Sequence, residues 1–302
     1  MSGILQLLFM KGLINAFKRA IFGFGGTSDS GTNFSTTNLV SNTGVVASDT
    51  TGVGTIRYRL AASSYGYDKA IFGYGSVGDI GTMYSITNLV SNTGVVATNT
   101  TGVGTARSGL SAACYGNDKA IFGYGWNGSS YYSITNLVSN TGVVATDTTG
   151  VGTTKRAQAA AGYGNDKAIF GYGFSSVNTS ITNLVSNTGV VATDTTGVGT
   201  ARHKLAATKY GYDKAIFGYG FSSVNTSITN LVSNTGVVAT DTTGVGTART
   251  DLAAAGYSND KALFGYGIGY STTNLVSNTG VVATDTTGVG TARGGLGAAS
   301  YS

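Results

Sequence analysis

The chain of 302 residues contains no glutamate and no proline, and it has a single cysteine and a single histidine. One cysteine, Cys114, cannot form an internal disulfide and provides no metal cluster, so we interpret it as a small buried residue. A copper centre held by several histidines is excluded because His203 stands alone. The absence of glutamate argues equally against a sialidase-like site of clustered Arg, Tyr, Asp and Glu.

Charge is also sparse and is spread evenly along the chain. The 18 basic and 13 acidic residues give a net charge of +5, and no basic run occurs. This distribution does not favour a nucleic-acid partner. The glycines of Gly23–Gly26 lack the helix and the Lys-Ser/Thr pair of a phosphate-binding loop. A Ser-His-Asp triad would have to use His203, at a variable surface position. We therefore expect no catalytic residues, no metal and no cofactor.

The chain consists mainly of six copies of one sequence repeat. Each copy has, with small changes, Lys-Ala-Ile-Phe-Gly-Tyr-Gly, a gap, and Thr-Asn-Leu-Val-Ser-Asn-Thr-Gly-Val-Val-Ala-Thr-Asp-Thr-Thr-Gly-Val-Gly-Thr-Ala-Arg. The first Ala of the copies recurs at steps of 50, 50, 48, 47 and 47 residues: Ala20, Ala70, Ala120, Ala168, Ala215 and Ala262. A period of this length indicates a repeat architecture. The near-identity of the copies indicates recent duplication.

The copies differ in length at one place. From the Asn of Thr-Asn-Leu-Val to the next opening Ala the distance is always 32 residues, but from the preceding Gly to that Asn it is 13, 13, 11, 10, 10 and 7 residues. Insertions in repeat folds collect in loops on one face, which is often the binding face. The variable segments are 26–35, 76–85, 126–133, 174–180, 221–227 and 268–271.

Each copy divides into four short strands rich in β-branched, aromatic and small residues, exemplified by Leu252–Ala255, Lys214–Tyr219, Thr229–Ser233 and Val237–Thr240. Asn234–Gly236 has the chemistry of a hairpin turn. Four strands in each of six copies predict an all-β fold, a six-bladed β-propeller with four-stranded antiparallel blades. The chain ends just after a first strand and begins its first copy at a second strand, so the C-terminal strand is predicted to complete blade one.

The copies occupy residues 20–302, which we predict to be one propeller domain. Residues 1–19 form an apolar N-terminal extension that is too short to span a bilayer and lacks the features of a signal peptide. Its apolar spacing suits an amphipathic helix. Such a helix could pack on the domain, join the chain into a homo-oligomer or a virion, or lie on a membrane, which we regard as the least favoured of the three.

The repeat resembles the kelch repeat. The similarity lies in an Arg that opens the first strand, a tight turn before a β-branched and aromatic strand, and a pair of glycines that closes that strand; the arginines are Arg57, Arg107, Arg202, Arg249 and Arg293. It covers about residues 20–302. The phrase Thr-Asn-Leu-Val-Ser-Asn-Thr-Gly-Val-Val also looks like repeat proteins of bacteriophage and marine viral origin. These resemblances imply a propeller that binds proteins or forms part of a virion.

In a blade of this kind the variable loops share a face with the residues that follow each repeat Arg, and we call this surface the loop face. Its aromatic and small polar residues suit a sugar ring or a protein surface. The predicted binding residues are Phe34, Tyr58, Arg59, Tyr84, Trp126, Tyr131, Tyr132, Phe174, His203, Lys204, Phe221 and Tyr270. Loop drift without function is the alternative.

The basic residues that open the first strands form a second candidate set, a ring at the mouth of the channel: Arg57, Arg107, Lys155, Arg202, Arg249 and Arg293. They could bind an anion there. Alternatively, each could pair with the acidic residue of a connector and hold neighbouring blades in register. The connector residues are Asp49, Asn99, Asp147, Asp194, Asp241 and Asp285.

Three classes of function fit these features. The first is a non-enzymatic binding and structural module of a virion, in a tail, fibre or capsid surface, that contacts a glycan or another protein. The second is an intracellular, cytoplasmic kelch-like scaffold for protein partners, and the third is a propeller enzyme. Sixfold symmetry and the missing glutamate disfavour the third. Six similar weak sites also predict avidity for a repetitive ligand.

Overall fold

The computed structural model describes residues 18–28, 31–78 and 81–302, so most of the predicted N-terminal extension lies outside the described residues. The described residues form strands and turns and contain no helix, hence none that could cross a membrane. The strands of this part of the chain are β1 (Arg19–Gly23), β2 (Thr37–Val40), β3 (Ala61–Tyr65), β4 (Lys69–Gly73), β5 (Thr87–Val90), β6 (Ser111–Tyr115), β7 (Lys119–Trp126), β8 (Tyr131–Val138), β9 (Ala159–Tyr163), β10 (Lys167–Gly171), β11 (Phe174–Ser175), β12 (Val177–Asn178), β13 (Thr182–Val185), β14 (Ala206–Tyr210), β15 (Lys214–Gly218), β16 (Thr229–Val232), β17 (Ala253–Tyr257), β18 (Lys261–Gly265), β19 (Thr273–Val276) and β20 (Gly297–Tyr301).

Eighteen of these twenty strands assemble into six equivalent antiparallel sheets, as the sequence repeat predicts, and β11 and β12 form a separate short hairpin in the fourth variable loop. Each sheet has three strands in the order β2-β1-β20, β3-β4-β5, β6-β7-β8, β9-β10-β13, β14-β15-β16 and β17-β18-β19. In the first sheet the last strand of the chain pairs with the first, with Ile21 opposite Ala299. This arrangement of six repeated sheets is compatible with a six-bladed propeller.

The prediction of four strands in each blade is wrong, because the fourth segment makes only isolated bridges in the described residues. In the fifth sheet Val232 bridges Val238 and Thr229 bridges Thr242, a shift of register by one residue between the two bridges. Between them the side chain of Asn230 donates to the carbonyl oxygen of Ala239 at 3.0 Å. The side-chain amide therefore bonds the backbone of the edge segment at the register shift, and this segment does not form a regular strand.

The central strand of each sheet is buried on both faces, which explains why its sequence is continuously apolar and does not alternate. In β15 the residues Ala215, Ile216 and Phe217 are completely buried. Ile216 shares a core cluster with Phe264 of the next sheet. The same Phe264 lies against Gly218, where an added Cβ would come within 2.6 Å of the ring. Glycine at this position therefore lets adjacent sheets approach closely.

Six such clusters join successive sheets. The last of them contains Ala20, Phe22 and Leu296 of the first sheet together with Leu263 and Tyr266 of the sixth. Phe22 and Tyr266 have ring centroids 5.0 Å apart, which is typical of a favourable aromatic pair. The sixth sheet thus packs on the first in the same way as each sheet packs on its successor.

Candidate functional site

The basic residue of the ring lies four residues before each first strand, where it is fully buried and contacts several segments. At the fifth sheet the guanidinium of Arg202 donates to the carbonyl oxygens of Tyr219 (2.8 Å) and Thr200 (3.0 Å) and to Asn230 Oδ1 (2.7 Å). It also lies 4.4 Å from the ring centroid of Tyr172 in the preceding sheet, within the range of a cation–π contact. Arg202 therefore joins two adjacent sheets and the connector between them.

The connector aspartate completes this network. Asp241 accepts from Asn230 at 2.9 Å and from the Thr200 hydroxyl at 2.6 Å, and it lies 4.0 Å from Arg202. Partial burial alone would raise the pKa of Asp241. The hydrogen bonds from Thr200 and Asn230 together lower it by more, so the pKa lies below its usual range. The paired-connector interpretation of the basic ring agrees with this geometry.

Two copies depart from the pattern. Asn99 stands in for aspartate in the second sheet, so the connector offers Arg57 no carboxylate, and burial lowers the pKa of Arg57 to about 10. Lys155 replaces arginine in the fourth sheet and donates from Nζ to Asn183 Oδ1 at 2.8 Å. Burial lowers the pKa of Lys155 to about 8, although Asp194 opposes the shift.

The basic ring does not line the channel mouth, because all six side chains have an exposed fraction of 0%. The rim of the mouth is instead formed by the residues that lie two positions after each basic residue and two before each first strand. The backbone N–H of each rim residue donates to the carbonyl oxygen of a rim residue in an adjacent sheet, at 2.7–3.0 Å: Arg59 to Gly295, Gly295 to Asp251, Asp251 to Lys204, Lys204 to Ala157, Ala157 to Gly109 and Gly109 to Arg59.

The rim has an unusual backbone conformation. All six residues have a positive φ, between 51° at Arg59 and 61° at Gly109, although only two of them are glycines. Left-handed residues with bulky side chains are uncommon and need support from their surroundings. The circle of hydrogen bonds provides that support. The rim borders a cavity of about 110 Å³ that is lined by the first strands of all six sheets, which we call the central cavity.

The residue between the basic ring and the rim contacts the variable loop. His203 and Phe221 exchange backbone hydrogen bonds of 3.0 and 2.8 Å. The equivalent bridges join Tyr58 to Ser76, Ser108 to Trp126, Arg156 to Phe174 and Gly26 to Gly294. The two variable regions of each repeat therefore meet on the loop face, as the sequence predicts.

Each variable segment is a loop whose two ends are joined by a backbone hydrogen bond next to this contact. The N–H of Phe34 donates to the carbonyl oxygen of Gly25 at 2.7 Å, and the same bond recurs from Tyr84 to Gly75 and from Tyr270 to Gly267. In the third copy the excursion is a hairpin, in which β7 and β8 continue as far as Trp126 opposite Tyr131. The loop length can thus change without altering the sheet below.

Five of the predicted binding residues form a continuous row across three sheets. Ring centroids are 6.3 Å apart for Tyr131 and Phe174, 5.3 Å for Phe174 and His203, and 5.5 Å for His203 and Phe221. Arg156 extends the row because its guanidinium lies 4.6 Å from the Trp126 ring and 5.7 Å from that of Tyr131. We call these six residues the aromatic row.

His203 is held in one tautomer within the row. Its Nδ1 lies 2.7 Å from Asn178 Oδ1, and the Asn178 amide nitrogen donates to the carbonyl oxygen of Ser222 at 2.6 Å. Because Asn178 Oδ1 can only accept, the proton lies on Nδ1 and Nε2 is left as an acceptor. Burial, followed by the positive charge of Lys204, lowers the pKa of His203 to about 4. The imidazole is therefore neutral at pH 7.

The remaining predicted residues occupy different environments. Tyr58 is completely buried, because its ring lies over Gly295, where a side chain would clash with it. Tyr132 accepts from Asn127 Nδ2 at 2.8 Å inside the third loop. Phe34, Tyr84 and Tyr270 lie at the ends of their loops and are half-buried. Of this group, Tyr58 has no surface to offer a ligand.

Arg59 and Lys204, also predicted, lie on the rim together with a residue that the site prediction omitted. Asp251 is 7% exposed, and its carboxylate lies 2.9 Å from Lys204 Nζ and 3.9 Å from Arg59 Nε. Arg156 and Asn178 were omitted as well. Their sequence signal is weak: Arg156 follows a ring residue and Asn178 lies inside a variable loop, and neither position recurs with the same residue in all copies.

Among the described residues no group of three or more His, Cys, Asp or Glu side chains could hold a metal ion. Comparison with protein-family models and with curated proteins finds no match for this chain. The similarity to kelch repeats and to viral repeat proteins therefore rests on the repeat sequence alone.

Proposed function

We propose that this protein is a non-enzymatic binding module whose loop face contacts a glycan or a protein. The observation that carries the proposal is the meeting of two variable regions, which is seen directly in the bridge between His203 and Phe221 and in its equivalents. The second and third strands below this contact are nearly identical in all copies, whereas both partners of the contact vary. Variable loops on a conserved repeat are typical of a recognition surface.

A closed six-bladed propeller is the architecture that we propose for this support. Three observations favour it: the pairing of β20 with β1, the core shared by the sixth and first sheets, and the circle of hydrogen bonds around the rim. Closure hides the edges of the sheets that an open array would expose. It also fixes the positions of the six loops relative to one another.

The chemistry of the loop face suits weak contacts with flat or polar ligands. The aromatic row offers half-buried rings beside Asn and Ser residues, a combination that binds sugars and protein surfaces. Beyond the row, Val177 and Val224 at the tips of two loops are 68% and 66% exposed. Repetition of the loops favours a repetitive partner, since several weak contacts then act together.

A virion surface is the location that we propose, on the basis of the resemblance to viral repeat proteins. There the module would act in a tail, fibre or capsid surface, outside the cell, and residues 1–19 would join it to other subunits. The sixfold repetition and the lack of glutamate favour binding over catalysis. Copurification of the chain with virus particles tests this location.

A glycan-array screen tests the binding function. It compares the full chain with a variant in which all six variable segments are shortened to the length of 268–271. A matched control replaces Tyr67 and Tyr212 by serine; they are 65% and 62% exposed and lie in turns at the opposite ends of the central strands. Binding by the wild type and the control but not by the short-loop variant is expected. Equal binding by all three chains would contradict the proposal, and so would no binding to any glycan combined with no loop-dependent protein partner.

A further inference from the structure

We infer that the loop face holds a site for a compact anion, the carboxylate or sulfate group of an acidic glycan, between the aromatic row and the rim. The inference rests on the proposed function and specifies the ligand class. It is carried by a cavity in which three cationic side chains from three different sheets converge, Arg59, Arg156 and Lys204.

The cavity has the size of an anionic group. Its volume is about 70 Å³, and since a water molecule needs about 10–15 Å³ by the same measure, a carboxylate or sulfate fits there. The space exists because Gly109 and Ala157 on the rim have small side chains or none. These two neighbouring rim residues leave space above the backbone, and the long side chains of Arg59 and Lys204 lie on either side of that space.

Arg156 is the side chain that points to a ligand most directly. Its guanidinium lies 4.6 Å from the Trp126 ring centroid and 5.7 Å from that of Tyr131, within the range of cation–π contacts. Its Nη1 is buried and has no hydrogen-bond partner among the described residues. A buried donor without a partner costs about 1–3 kcal/mol, and an oxygen of a bound anion would remove this cost with a charge-assisted bond.

Arg156 is the cation of this cavity that carries the inference. Asp251 lies 2.9 Å from Lys204 Nζ and 3.9 Å from Arg59 Nε, so these two cations are paired within the protein. Asp251 lines the central cavity and not this one. A charge-assisted hydrogen bond to Arg156 acts where burial weakens screening by solvent.

Neutral groups complete the lining of the cavity and would orient the sugar that carries the anionic group. Ser108 and His203 lie on its walls. His203 uses Nδ1 for Asn178, so its Nε2 can accept a hydrogen bond from a sugar hydroxyl next to the anionic group. The Phe174 ring forms part of the same wall and provides an apolar face for the sugar itself.

Isothermal titration calorimetry of the full chain at low ionic strength tests the inference with three probes: glucuronate, glucose and sodium sulfate. Glucuronate should bind and glucose should not. Arg156→Gln should weaken glucuronate binding about tenfold or more, as expected for losing a hydrogen bond to a charged group, and Arg156→Lys by less. The control Lys119→Gln removes an equal charge from a residue paired with Asp118 and should bind as the wild type does.

The outcomes distinguish sulfate from a sugar carboxylate as the ligand, and they distinguish failure of this inference from failure of the proposed function. Sulfate that competes fully with glucuronate supports a site that recognises charge alone, and weak competition supports a site for a sugar carboxylate. Equal binding of glucose, no binding of either anion, or unchanged affinity in an Arg156→Gln variant that melts at the wild-type temperature would overturn the inference. If the loop face binds a neutral glycan and no anion, this inference fails while the proposed function stands.

Discussion

The backbone N–H of Arg59 donates a 2.7 Å hydrogen bond to the carbonyl oxygen of Gly295 and thereby joins the second sheet to the C-terminal part of the chain. Gly295 in turn donates to Asp251, so the link continues into the sixth sheet. Both residues adopt a positive φ, which is 51° at Arg59 and 58° at Gly295. The rim is thus one structural unit built from all six copies, and it positions the charged side chains of the candidate site.

Lys155→Arg is expected to stabilise the protein. At the matching position Arg202 makes three hydrogen bonds, whereas Lys155 Nζ makes one, to Asn183. Additional hydrogen bonds from a charged group should raise the free energy of unfolding by about 1–3 kcal/mol. Urea unfolding at pH 7 measures the change. Arg107→Lys in the neighbouring sheet is the matched reverse substitution and should lower stability; a gain there would contradict the argument.

Lys155 also predicts a dependence of stability on pH. Its pKa falls from 10.5 in the unfolded chain to about 8 in the folded one, so between these values the unfolded state holds a proton that the folded state lacks. The free energy of unfolding should therefore rise with pH across this window. Urea unfolding at pH 8 and pH 10 should show a larger rise for the wild type than for Lys155→Arg. Equal rises in the two proteins would show that Lys155 is charged in the fold.

Gly218→Ala tests the close approach of neighbouring sheets. The added methyl group would lie 2.6 Å from the Phe264 ring, and overpacking of a core costs about 1–3 kcal/mol. Gly256→Ala is the control, because its Cβ would have its nearest contact at 3.3 Å, with Ser300 Oγ, and other copies carry Ser, Cys or Lys there. Thermal melting should separate the two variants. Similar melting temperatures would mean that the sheets can move apart at no cost.

His203 predicts a loss of stability in mild acid. Its pKa is about 4 in the folded state against 6.5 in the unfolded state, so the unfolded chain takes up the proton first as the pH falls from 6.5 to 4. The free energy of unfolding should therefore decrease over this range. His203→Gln should remove that decrease in a comparison of unfolding at pH 6.5 and pH 4.5. A variant with the same acid sensitivity as the wild type would assign the effect to other groups.

Asp251→Asn should strengthen anion binding while it weakens the fold. The substitution removes the negative charge beside Lys204 and Arg59, so the affinity for glucuronate should rise severalfold at low salt. Loss of a partner for a largely buried charge should cost about 1–3 kcal/mol of stability. Calorimetric titration and urea unfolding of the same sample measure both effects. Weaker glucuronate binding by a folded variant would show that Asp251 orients the site and does not compete with the ligand.

Local sequence patterns were sufficient for the main features of the fold. The run Ala215–Gly218 and the segment Thr229–Val232 indicate strands by composition, and their recurrence in every copy predicts equivalent sheets. The pairing of β20 with β1 follows from where the chain ends within the repeat. Three strands instead of four could not be anticipated, because the outcome depends on the side chain of Asn230 reaching the backbone of Ala239.

The sequence predicted the candidate site in outline, and the errors of that prediction have a common cause. Tyr58 is buried because a distant copy has glycine at position 295, and such a contact leaves no mark near Tyr58 in the sequence. Lys204 and Asp251 adopt a left-handed conformation that their residue types do not favour, and hydrogen bonds between sheets impose it. Contacts between copies, which no single repeat contains, therefore decide which variable residues reach the surface.

The central claim, that the loop face is the binding surface, is tested most directly by amide hydrogen exchange with and without the polysaccharide that binds most strongly in the glycan array. Ligand should slow exchange in the segments 126–133, 174–180 and 221–227, which contain four of the six residues of the aromatic row, and leave the turns around Tyr67 and Tyr212 unchanged. Protection confined to those turns, with exchange in the three loops unaltered, would contradict the claim and place the binding surface on the opposite face.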